Sequence, residues 1–436
     1  MVPSRRLLVL FLLGVVPVVA AASNDRLWLL VLGYVAFLLG VLYLDWRITP
    51  KPQQLEVARI NEPKLSLGAQ NKITIALHND SARSLSLRIR DEFPLSFPTD
   101  TLYLDTKLEP DEVKEVAYHV RPTQRGDYRF GSINVRYGSA LGLFQRQTAV
   151  SFDEVVKVYP NVLDIRKYDM LARKGMLFEL GLRSAKVFGS GTEFERLREY
   201  TPDDEFRTIN WKATARRNKV ISAEYETERS QYIVSVLDTG RLMRPPIGDI
   251  AKLDYAINAS LMLSYVAMLK GDHIGLLSFA DQVGRYLPPR RGRNQFYLML
   301  EQLYNLPSQP VEPDYGRALS YLGLKNKRRS LVVVFTDLTT MDAARPLIAH
   351  MGRLAKHHLP LCVVMSDPNV VQYSGMSADN PHQVFERAVA EMVIDERRVV
   401  LDTLNNAGVQ TLDVPANKLT VSVINKYLEL KGRGTI

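Results

Sequence analysis

The sequence has a single cysteine, Cys362, among its 436 residues, so it cannot form an internal disulfide. Cys362 lies in the apolar run of residues 360–365, which is typical of a buried strand. A large chain without a disulfide fits a reducing compartment, and it is unlike the small secreted domains that depend on disulfides for stability.

The sequence also lacks the motifs that commonly mark enzymes. It contains no Gly-rich phosphate loop ending in Lys-Ser or Lys-Thr, no Gly-x-Ser-x-Gly and no His-Glu-x-x-His. His350, His357 and His358 lie near the end of one predicted helix, but no cysteine or further ligand stands near them in sequence to complete a zinc site. We therefore expect a protein that is not an enzyme and has no resident cofactor.

Long runs of one charge are also missing, although the formal net charge is +9. The basic residues alternate with acids, and the one short basic cluster, residues 290–293, has no aromatic residues between its arginines on which bases could stack. We therefore expect no nucleic-acid partner. The positive excess favours an acidic protein partner or an anionic membrane surface.

Two apolar runs stand at the start of the sequence, at residues 7–22 and 27–44. A membrane helix needs about 20 apolar residues, or about 17 at the short end. The second run meets this length and the first is slightly short. We predict a membrane anchor over residues 1–48 made of two transmembrane helices, with the lipid bilayer as its partner.

Basic residues flank this anchor on one side. Arg5 and Arg6 precede the first run, and Arg47 and Lys51 follow the second, so the positive-inside rule places the soluble part in the cytoplasm of a bacterial inner-membrane, multi-pass protein. The alternative for the first run is a cleaved signal peptide, because small residues follow it at positions 20–22. Cleavage would leave the second helix and the cytoplasmic orientation unchanged.

Residues 49–160 carry short runs in which apolar and polar side chains alternate. Polar turns separate these runs, the clearest of which are residues 72–77, 85–89, 113–120 and 133–137. A period of two with regular turn signals predicts strands with one buried face. We predict a small β-sandwich here, with no catalytic constellation.

Residues 229–436 follow a different pattern, in which continuous apolar strands alternate with amphipathic helices. The predicted strands lie at residues 231–237, 273–279, 330–336, 360–365 and 410–413. This alternation predicts an α/β domain with a mostly parallel sheet covered by helices on both faces. Asp238 and Asp337 stand directly after two of the strands, at the edge where such sheets bind ligands.

This domain resembles a von Willebrand factor A fold, a Rossmann-type α/β fold. In that fold the first strand ends in Asp-x-Ser-x-Ser and contributes to a metal-ion-dependent adhesion site. Here the same positions read Asp238-Thr239-Gly240-Arg241-Leu242, so both serines are missing and Arg241 adds a positive charge.

Two interpretations of the strand-end aspartates follow. In one, Asp238 and Asp337 hold a divalent cation, with Mg²⁺ as the expected ion, in a metal-dependent hydrolase or a metal-dependent ligand-binding protein. In the other, they cap helix starts or accept hydrogen bonds from loop amides.

Residues 161–228 form a connector between the two predicted domains, and its stretch 191–216 is the densest mixture of opposite charges and aromatics in the chain. One interpretation is a salt-bridged structural connector whose aromatics, including Phe206, anchor it to the sheet. The other is a surface that recognises a partner through arginines and a tryptophan. The candidate partner-binding residues are Glu193, Arg198, Tyr200, Asp204, Arg207, Trp211 and Arg216.

The same stretch resembles the signature of the bacterial domain-of-unknown-function family fifty-eight. The matching positions are Gly191, Glu193, Phe194, Leu197, Arg198, Tyr200, Pro202, Arg207, Ile209, Trp211, Ala215 and Arg216. The chain departs from the signature at Asp203 and Glu205, where the family usually has Gly and Asp.

This resemblance implies a von Willebrand factor A-like domain, and no enzymatic activity comes with it. Genes of the family commonly neighbour those for MoxR-type AAA ATPases, other von Willebrand factor A proteins and transglutaminase-like membrane proteins. We therefore expect a membrane-anchored adaptor that works with a MoxR-type AAA ATPase.

Overall fold

The computed structural model describes residues 2–22, 27–152, 154–161, 188–189, 193–202, 206, 209–226, 230–338, 340–377 and 380–433. The chain divides into two compact units, Met1–Tyr159 and Pro160–Ile436. Strands dominate the first unit after its N-terminal helices, whereas strands and helices alternate in the second.

The first unit begins with a two-residue strand, three helices and a short 3-10 turn. These are β1 (Val2–Pro3), α1 (Arg5–Leu13), α2 (Val15–Ala21), α3 (Trp28–Ile48) and the turn Pro52–Gln54. Among the described residues, one helical segment, Trp28–Gln54, is long and apolar enough to cross a membrane. This corrects the prediction of two transmembrane helices. The first apolar run is divided at Gly14, and Pro17 has no N–H to donate to the carbonyl of Leu13.

The carboxyl end of α3 is fixed to the turn between two strands of the same unit. Asp45 is fully buried, and its carboxylate accepts hydrogen bonds from the Ser139 hydroxyl at 2.5 Å and the Leu141 amide at 2.6 Å. Arg146 donates to the carbonyl of Trp46 at 3.0 Å. A buried carboxylate is stable only when donors surround it, so these contacts hold the apolar helix on the β-structure that follows.

Ten strands follow α3 in the described part of this unit. They are β2 (Leu55–Ile60), β3 (Lys64–Ser66), β4 (Asn71–Asn79), β5 (Leu85–Asp91), β6 (Leu104–Leu108), β7 (Val113–Val120), β8 (Gly126–Phe130), β9 (Ile133–Gly138), β10 (Phe144–Val150) and β11 (Glu154–Tyr159). They form three sheets with the orders β1-β10-β9-β5-β6, β3-β11-β8 and β2-β4-β7. β5 alternates buried and exposed residues without exception, as expected of a half-buried strand.

A buried ion pair joins two of these sheets. Arg59 on β2 contacts Asp91 on β5 at 2.5 Å, and the Tyr118 hydroxyl on β7 donates to the same carboxylate at 2.7 Å. The four strands predicted from alternation are confirmed as β4, β5, β7 and β9. The packing of the sheets as a sandwich stays a prediction.

The second unit opens with a short antiparallel sheet and then builds a six-stranded one. The first sheet has the order β12-β14-β13, with β12 (Phe188–Gly189), β13 (Glu193–Glu199) and β14 (Ile221–Glu226). The main sheet contains β15 (Tyr232–Asp238), β18 (His273–Phe279), β19 (Val283–Arg290), β20 (Leu331–Thr336), β21 (Leu359–Ser366) and β22 (Gln410–Pro415). A two-stranded ribbon, β16 (Pro246–Ile247) with β17 (Ile250–Ala251), completes the strands described here.

Eight helices and two short 3-10 turns are described in this unit. The helices are α4 (Trp211–Arg217), α5 (Lys252–Leu269), α6 (Arg293–Tyr304), α7 (Tyr315–Lys325), α8 (Met341–Leu354), α9 (Pro368–Gly375), α10 (Pro381–Asn406) and α11 (Leu419–Gly432). The 3-10 turns are Arg241–Met243 and Ala416–Lys418. Strands β15 and β20 are almost wholly buried, which explains their continuous apolar sequence.

The main sheet has the strand order β19-β18-β15-β20-β21-β22, and every neighbouring pair is parallel except β18 with the edge strand β19. In chain order this reads 3-2-1-4-5-6, the order of a Rossmann-type sheet. The predicted mostly parallel α/β sheet is therefore confirmed, with one antiparallel edge strand added. The order reverses between β15 and β20, so Asp238 and Asp337 lie side by side at the switch point.

Candidate functional site

Asp238 ends β15 in a fully buried position and accepts hydrogen bonds on both of its oxygens. The Gly240 amide donates to Oδ1 at 2.7 Å, while the hydroxyls of Thr336 and Tyr315 reach Oδ2 at 2.7 and 3.2 Å. Burial raises the pKa of Asp238 above its ordinary value, and these three donors act in the opposite direction. Burial also raises the pKa of Tyr315, so its hydroxyl keeps the proton that it donates.

Asp337 follows β20 and lies between cationic side chains. Its Oδ2 is 2.5 Å from the Lys252 ammonium at the start of α5, and its Oδ1 accepts from the Leu338 amide at 2.9 Å. Arg397 on α10 lies 3.9 Å from Oδ1 and 3.0 Å from Asp413 on β22. Charges of opposite sign therefore alternate from Lys252 to Asp413 across four elements of the fold.

A loop covers the end of β15 beside Asp238. The Gln309 amide donates to the Thr239 carbonyl at 2.7 Å, and the Arg241 amide donates to the Val311 carbonyl at 2.9 Å. A Cβ added at Gly240 would lie 2.9 Å from the Val311 oxygen and 3.0 Å from Oδ1 of Asp238. A serine at position 240 would therefore collide with both, which accounts for glycine at this point of the motif.

The arrangement of the strand-end aspartates matches the second interpretation from the sequence, in which they accept hydrogen bonds from loop amides. The Lys252 ammonium stands where a cation beside Asp337 would need to be, and hard divalent ions require more oxygen ligands than these two loops present. No group of three or more His, Cys, Asp or Glu side chains in the described part of the chain is arranged to hold a metal ion. The geometry therefore does not favour the metal-dependent alternative.

Arg241, expected to add its charge beside Asp238, instead forms an exposed ion pair with Glu312 at 2.5 Å. The cations that reach the strand-end aspartates are Lys252 and Arg397, and sequence reasoning missed both. No motif marks either residue in the sequence. Lys252 is only the first residue of the helix that follows β15, and Arg397 is one of many residues inside a long helix. Asp314 caps α7 by accepting from the Arg317 amide at 2.9 Å.

The second candidate region is the segment around β13 and β14, with α4 inserted between the two strands. Arg198 lies opposite Ser222 in the antiparallel register, and the pairing shifts between Phe194 and Arg196. Ile221 and Ala223 are buried. Strand β14 therefore contributes to the core of this unit.

An asparagine stands at each end of helix α4, where Asn210 acts through its side chain and Asn218 through its backbone. Asn210 caps the start by accepting from the Ala213 amide at 3.0 Å, and Asn218 ends the helix in the left-handed region at φ 55°. The Thr214 hydroxyl donates to the Asn210 carbonyl and accepts from the Ile221 amide at 3.0 Å. These contacts hold the seven-residue helix against β14, although none of its residues is buried.

The outer surface of this segment presents two aromatic rings and three basic residues. Phe206 is 71% exposed and Trp211 is 61% exposed, and the rings meet edge to face with centroids 5.9 Å apart. Lys212, Arg216 and Arg217 on α4 are also exposed, and the helix contains no acidic residue. Phe206 and Trp211 are thus mainly exposed to solvent, whereas the connector interpretation expected them to pack on the sheet. We call these five residues the α4 surface.

The other candidates from the sequence are placed as follows. Arg198 is half-buried and donates to the Glu199 carbonyl at 3.2 Å and the Thr201 hydroxyl at 3.3 Å. Tyr200 is half-buried in the same stretch. The backbone of Glu193 begins β13, while its side chain, Asp204 and Arg207 lie outside the described residues.

Comparison with known families gives one match in this region. A family model described as a protein of unknown function, DUF58, matches residues 196–372. The match begins in β13 and contains α4, Asp238 and Asp337. It therefore covers both candidate regions.

The relatives of this chain are distant and uncharacterised. An uncharacterised protein of Bacillus subtilis, YeaD, is 25% identical over 234 residues, which are 52% of this chain and 54% of that protein. The chain thus spans about half the length of that relative. An uncharacterised protein of Mycobacterium bovis, Mb1516, is 24% identical over 270 residues, covering 57% of this chain and 82% of the relative.

Two solved structures with weak similarity align with about half of the chain. One is the von Willebrand factor A domain of SpRpn10, with 12% identity and a TM-score of 0.32 over 45% of this chain and 95% of that one. The other is the conserved hypothetical protein BatB from Bacteroides thetaiotaomicron, with 13% identity and a TM-score of 0.33 over 47% of this chain and 100% of that one.

Proposed function

We propose that this protein is a membrane-anchored adaptor without enzymatic activity, which presents a von Willebrand factor A-like unit to a partner protein in the bacterial cytoplasm. The observation that carries the proposal is the exposure of Phe206 and Trp211, two large aromatics in edge-to-face contact on the α4 surface. Tryptophan and arginine are the residues that most often dominate the binding energy of protein interfaces.

The charge of the α4 surface indicates the chemistry of the partner. Lys212, Arg216 and Arg217 lie on the same short helix as Trp211, so we propose a complementary surface that is acidic and has an apolar pocket for Trp211. Arginine favours carboxylates because its planar fork donates two parallel hydrogen bonds. We propose a MoxR-type AAA ATPase as this partner, because genes of the family that the sequence resembles commonly neighbour those of such ATPases. Other von Willebrand factor A proteins and transglutaminase-like membrane proteins are proposed as members of the same assembly.

The anchor in this proposal is α3, whose length and mean hydropathy of 2.0 suit a membrane span. A signal sequence near an N-terminus meets the same criteria, so the location needs its own test. Arg47 and Lys51 follow the apolar part of α3, and on the positive-inside rule we propose that the residues after α3 lie in the cytoplasm. Protease treatment of spheroplasts, which exposes only the outer side of the membrane, should leave the part of the chain after α3 intact. Digestion of its bulk would contradict this orientation.

The partner interface is tested with the full chain in detergent and a purified MoxR-type ATPase from the same organism. Trp211→Ala should weaken binding by about 2 kcal/mol, or roughly 30-fold, if Trp211 is the main contact. Tyr297→Ala is the matched control, because Tyr297 is 58% exposed and belongs to a different helix, α6. Equal affinities for the two variants would disprove the role of the α4 surface.

A further inference from the structure

A cavity of about 570 Å³ lies between α7 and α8. It opens at the amino ends of β20 and β21, the opposite edge of the sheet from Asp238 and Asp337. Leu319, Leu354 and Gly323 give it an apolar wall, and Lys327, Arg329 and Arg353 line it with positive charge. The volume lies within the range of small-molecule sites, which is about 300–1,000 Å³.

The charge of the lining is one-sided. No aspartate or glutamate is among the described residues that line this cavity, although acids alternate with bases over much of the sequence. His350, His357 and His358 also line it. Three permanent positive charges along the wall of a half-open cavity raise the local concentration of anions.

A glycine near the end of α7 forms part of the cavity wall. Gly323 lies two residues before the helix ends at Lys325, and a Cβ added there would meet no atom within 4 Å. Glycine inside a helix costs about 0.5–1 kcal/mol relative to alanine. Close packing against the described residues therefore does not require glycine at position 323, and a larger side chain there would have open space to enter.

Histidine side chains define two further parts of the lining. His358 is 6% exposed, and its Nδ1 is buried without a hydrogen-bond partner among the described residues. His350 packs over the start of α7, where its Nε2 would be 2.8 Å from a Cβ at Gly316. Nδ1 of His358 has almost no accessible surface, so a ligand in the cavity would not contact it.

We propose that this cavity is a binding site for a small organic phosphate, with Lys327, Arg329 and Arg353 holding the phosphate and the wall of Leu319 and Leu354 contacting its organic part. A phosphate monoester carries a charge of about −1.5 to −2 at neutral pH, which matches three cations better than a single carboxylate does. Arginine binds phosphate with parallel hydrogen bonds, whereas lysine adds a point charge.

Basic residues at helix ends have another use, since they offset the negative end of the helix dipole. Arg353 stands in the last turn of α8, and Lys327 follows the end of α7. This role accounts for individual cations, but it gives no reason for a cavity of this volume or for the glycine in its wall. The two roles separate experimentally, because only a binding site loses ligand affinity when its charge is removed.

The test is calorimetric titration of the full chain in detergent with inorganic phosphate and with glycerol 3-phosphate, at constant ionic strength. Both should bind, and glycerol 3-phosphate should bind more tightly because of the apolar wall. Arg353→Gln combined with Lys327→Gln should weaken binding at least about tenfold, as expected for lost charge-assisted hydrogen bonds. Gly323→Met should abolish glycerol 3-phosphate binding by filling the cavity while leaving α7 folded, because methionine is a better helix former than glycine.

The matched control removes the same charge elsewhere. Arg345→Gln with Lys418→Gln takes away two exposed cations outside the cavity lining, so affinity should stay unchanged. Three results would each overturn the proposal: no binding of phosphate, equal losses of affinity in the two double variants, or tighter binding of citrate than of glycerol 3-phosphate.

Nanodiscs identify the source of the phosphate. Competition by nanodiscs with phosphatidic acid, but not by those with phosphatidylcholine, assigns a lipid headgroup. No competition by either assigns a free metabolite.

Discussion

The carboxyl edge of the main sheet and the α4 surface differ in how far their functional side chains are exposed to solvent. At the carboxyl edge, Asp238 and Asp337 are buried, and donors from Gly240, Thr336 and Lys252 surround them. On the α4 surface, the rings of Phe206 and Trp211 face solvent on a helix with no buried residue. Polar groups that the protein itself satisfies stabilise the fold, whereas exposed aromatics are available to a partner.

The largest effect on stability is expected at Asp337. Asp337→Ala should lower the free energy of unfolding of this unit by about 3–5 kcal/mol, because Lys252 loses its buried counter-charge and Arg397 keeps only Asp413. Denaturant titration with alkylation of Cys362 measures it, since burial raises the pKa of that thiol to about 12 and keeps it unreactive until the sheet opens. Asp342→Ala, at an exposed ion pair on α8, is the control. A loss no larger than in the control would show that the carboxyl edge is not a stabilising network.

The next effect is expected at the cap of α4. Asn210→Ala should destabilise this helix by about 1 kcal/mol, because the Ala213 amide loses its acceptor. Hydrogen exchange of the α4 amides measures the change, and partner affinity should fall with it. Asn380→Ala removes the same kind of cap from α10, where Asn380 accepts from the Gln383 amide at 2.9 Å. An equal loss of partner affinity in Asn380→Ala would mean that partner binding does not depend specifically on α4.

A smaller effect is expected at Asp238. Asp238→Asn should change stability by less than about 1 kcal/mol at neutral pH, because the amide keeps an acceptor for the Gly240 amide and the neighbouring hydroxyls can reorient. The pKa of Asp238 is raised above 3.8, so its contribution to stability is present below pH 3.8 and is lost as the pH rises through the folded-state value. The free energy of unfolding of the variant should not show this fall when it is measured across acid pH. A steeper loss in the variant would contradict the burial of an ionisable Asp238.

The smallest effect on stability is expected on the α4 surface itself. Trp211→Ala should leave the free energy of unfolding within about 0.5 kcal/mol of the wild type, because the ring is 61% exposed. The same Cys362 alkylation assay measures it. A destabilisation of several kcal/mol would mean that Trp211 anchors the fold and would remove the contrast with Asp337.

The α/β sheet and its strand-end aspartates followed from sequence because local patterns determine them. Continuous apolar runs ending in Asp238 and Asp337 predict buried strands, and the parallel pairing of β15 with β20 confirms that they are neighbours. Strand β19 was not predicted, since Pro288 and Pro289 look like a loop, but an edge strand tolerates proline. The break between α1 and α2 at Gly14 was also not predicted, because the apolar composition of residues 7–22 gives no sign of it.

The contacts of the site depend on residues far apart in the chain. Lys252 and Asp337 are separated by 85 positions, and their pairing follows only once α5 and β20 are packed together. The exposure of Trp211 was also unpredictable, because an aromatic residue in a charged stretch fits either a packed connector or a binding surface. The three-dimensional arrangement buries Ile221 and Ala223 on β14 and leaves Trp211 on α4 exposed, and the proposed binding role rests on that exposure.

Photo-crosslinking in living cells tests the central claim most directly. A photoreactive amino acid replaces Trp211 in the full chain, and a matched variant carries it at Tyr297 on α6, which is equally exposed. The account predicts adducts with a MoxR-type ATPase from position 211 and none from position 297. Adducts of equal yield from both positions, or none from position 211 while the ATPase still co-purifies with the chain, would contradict it.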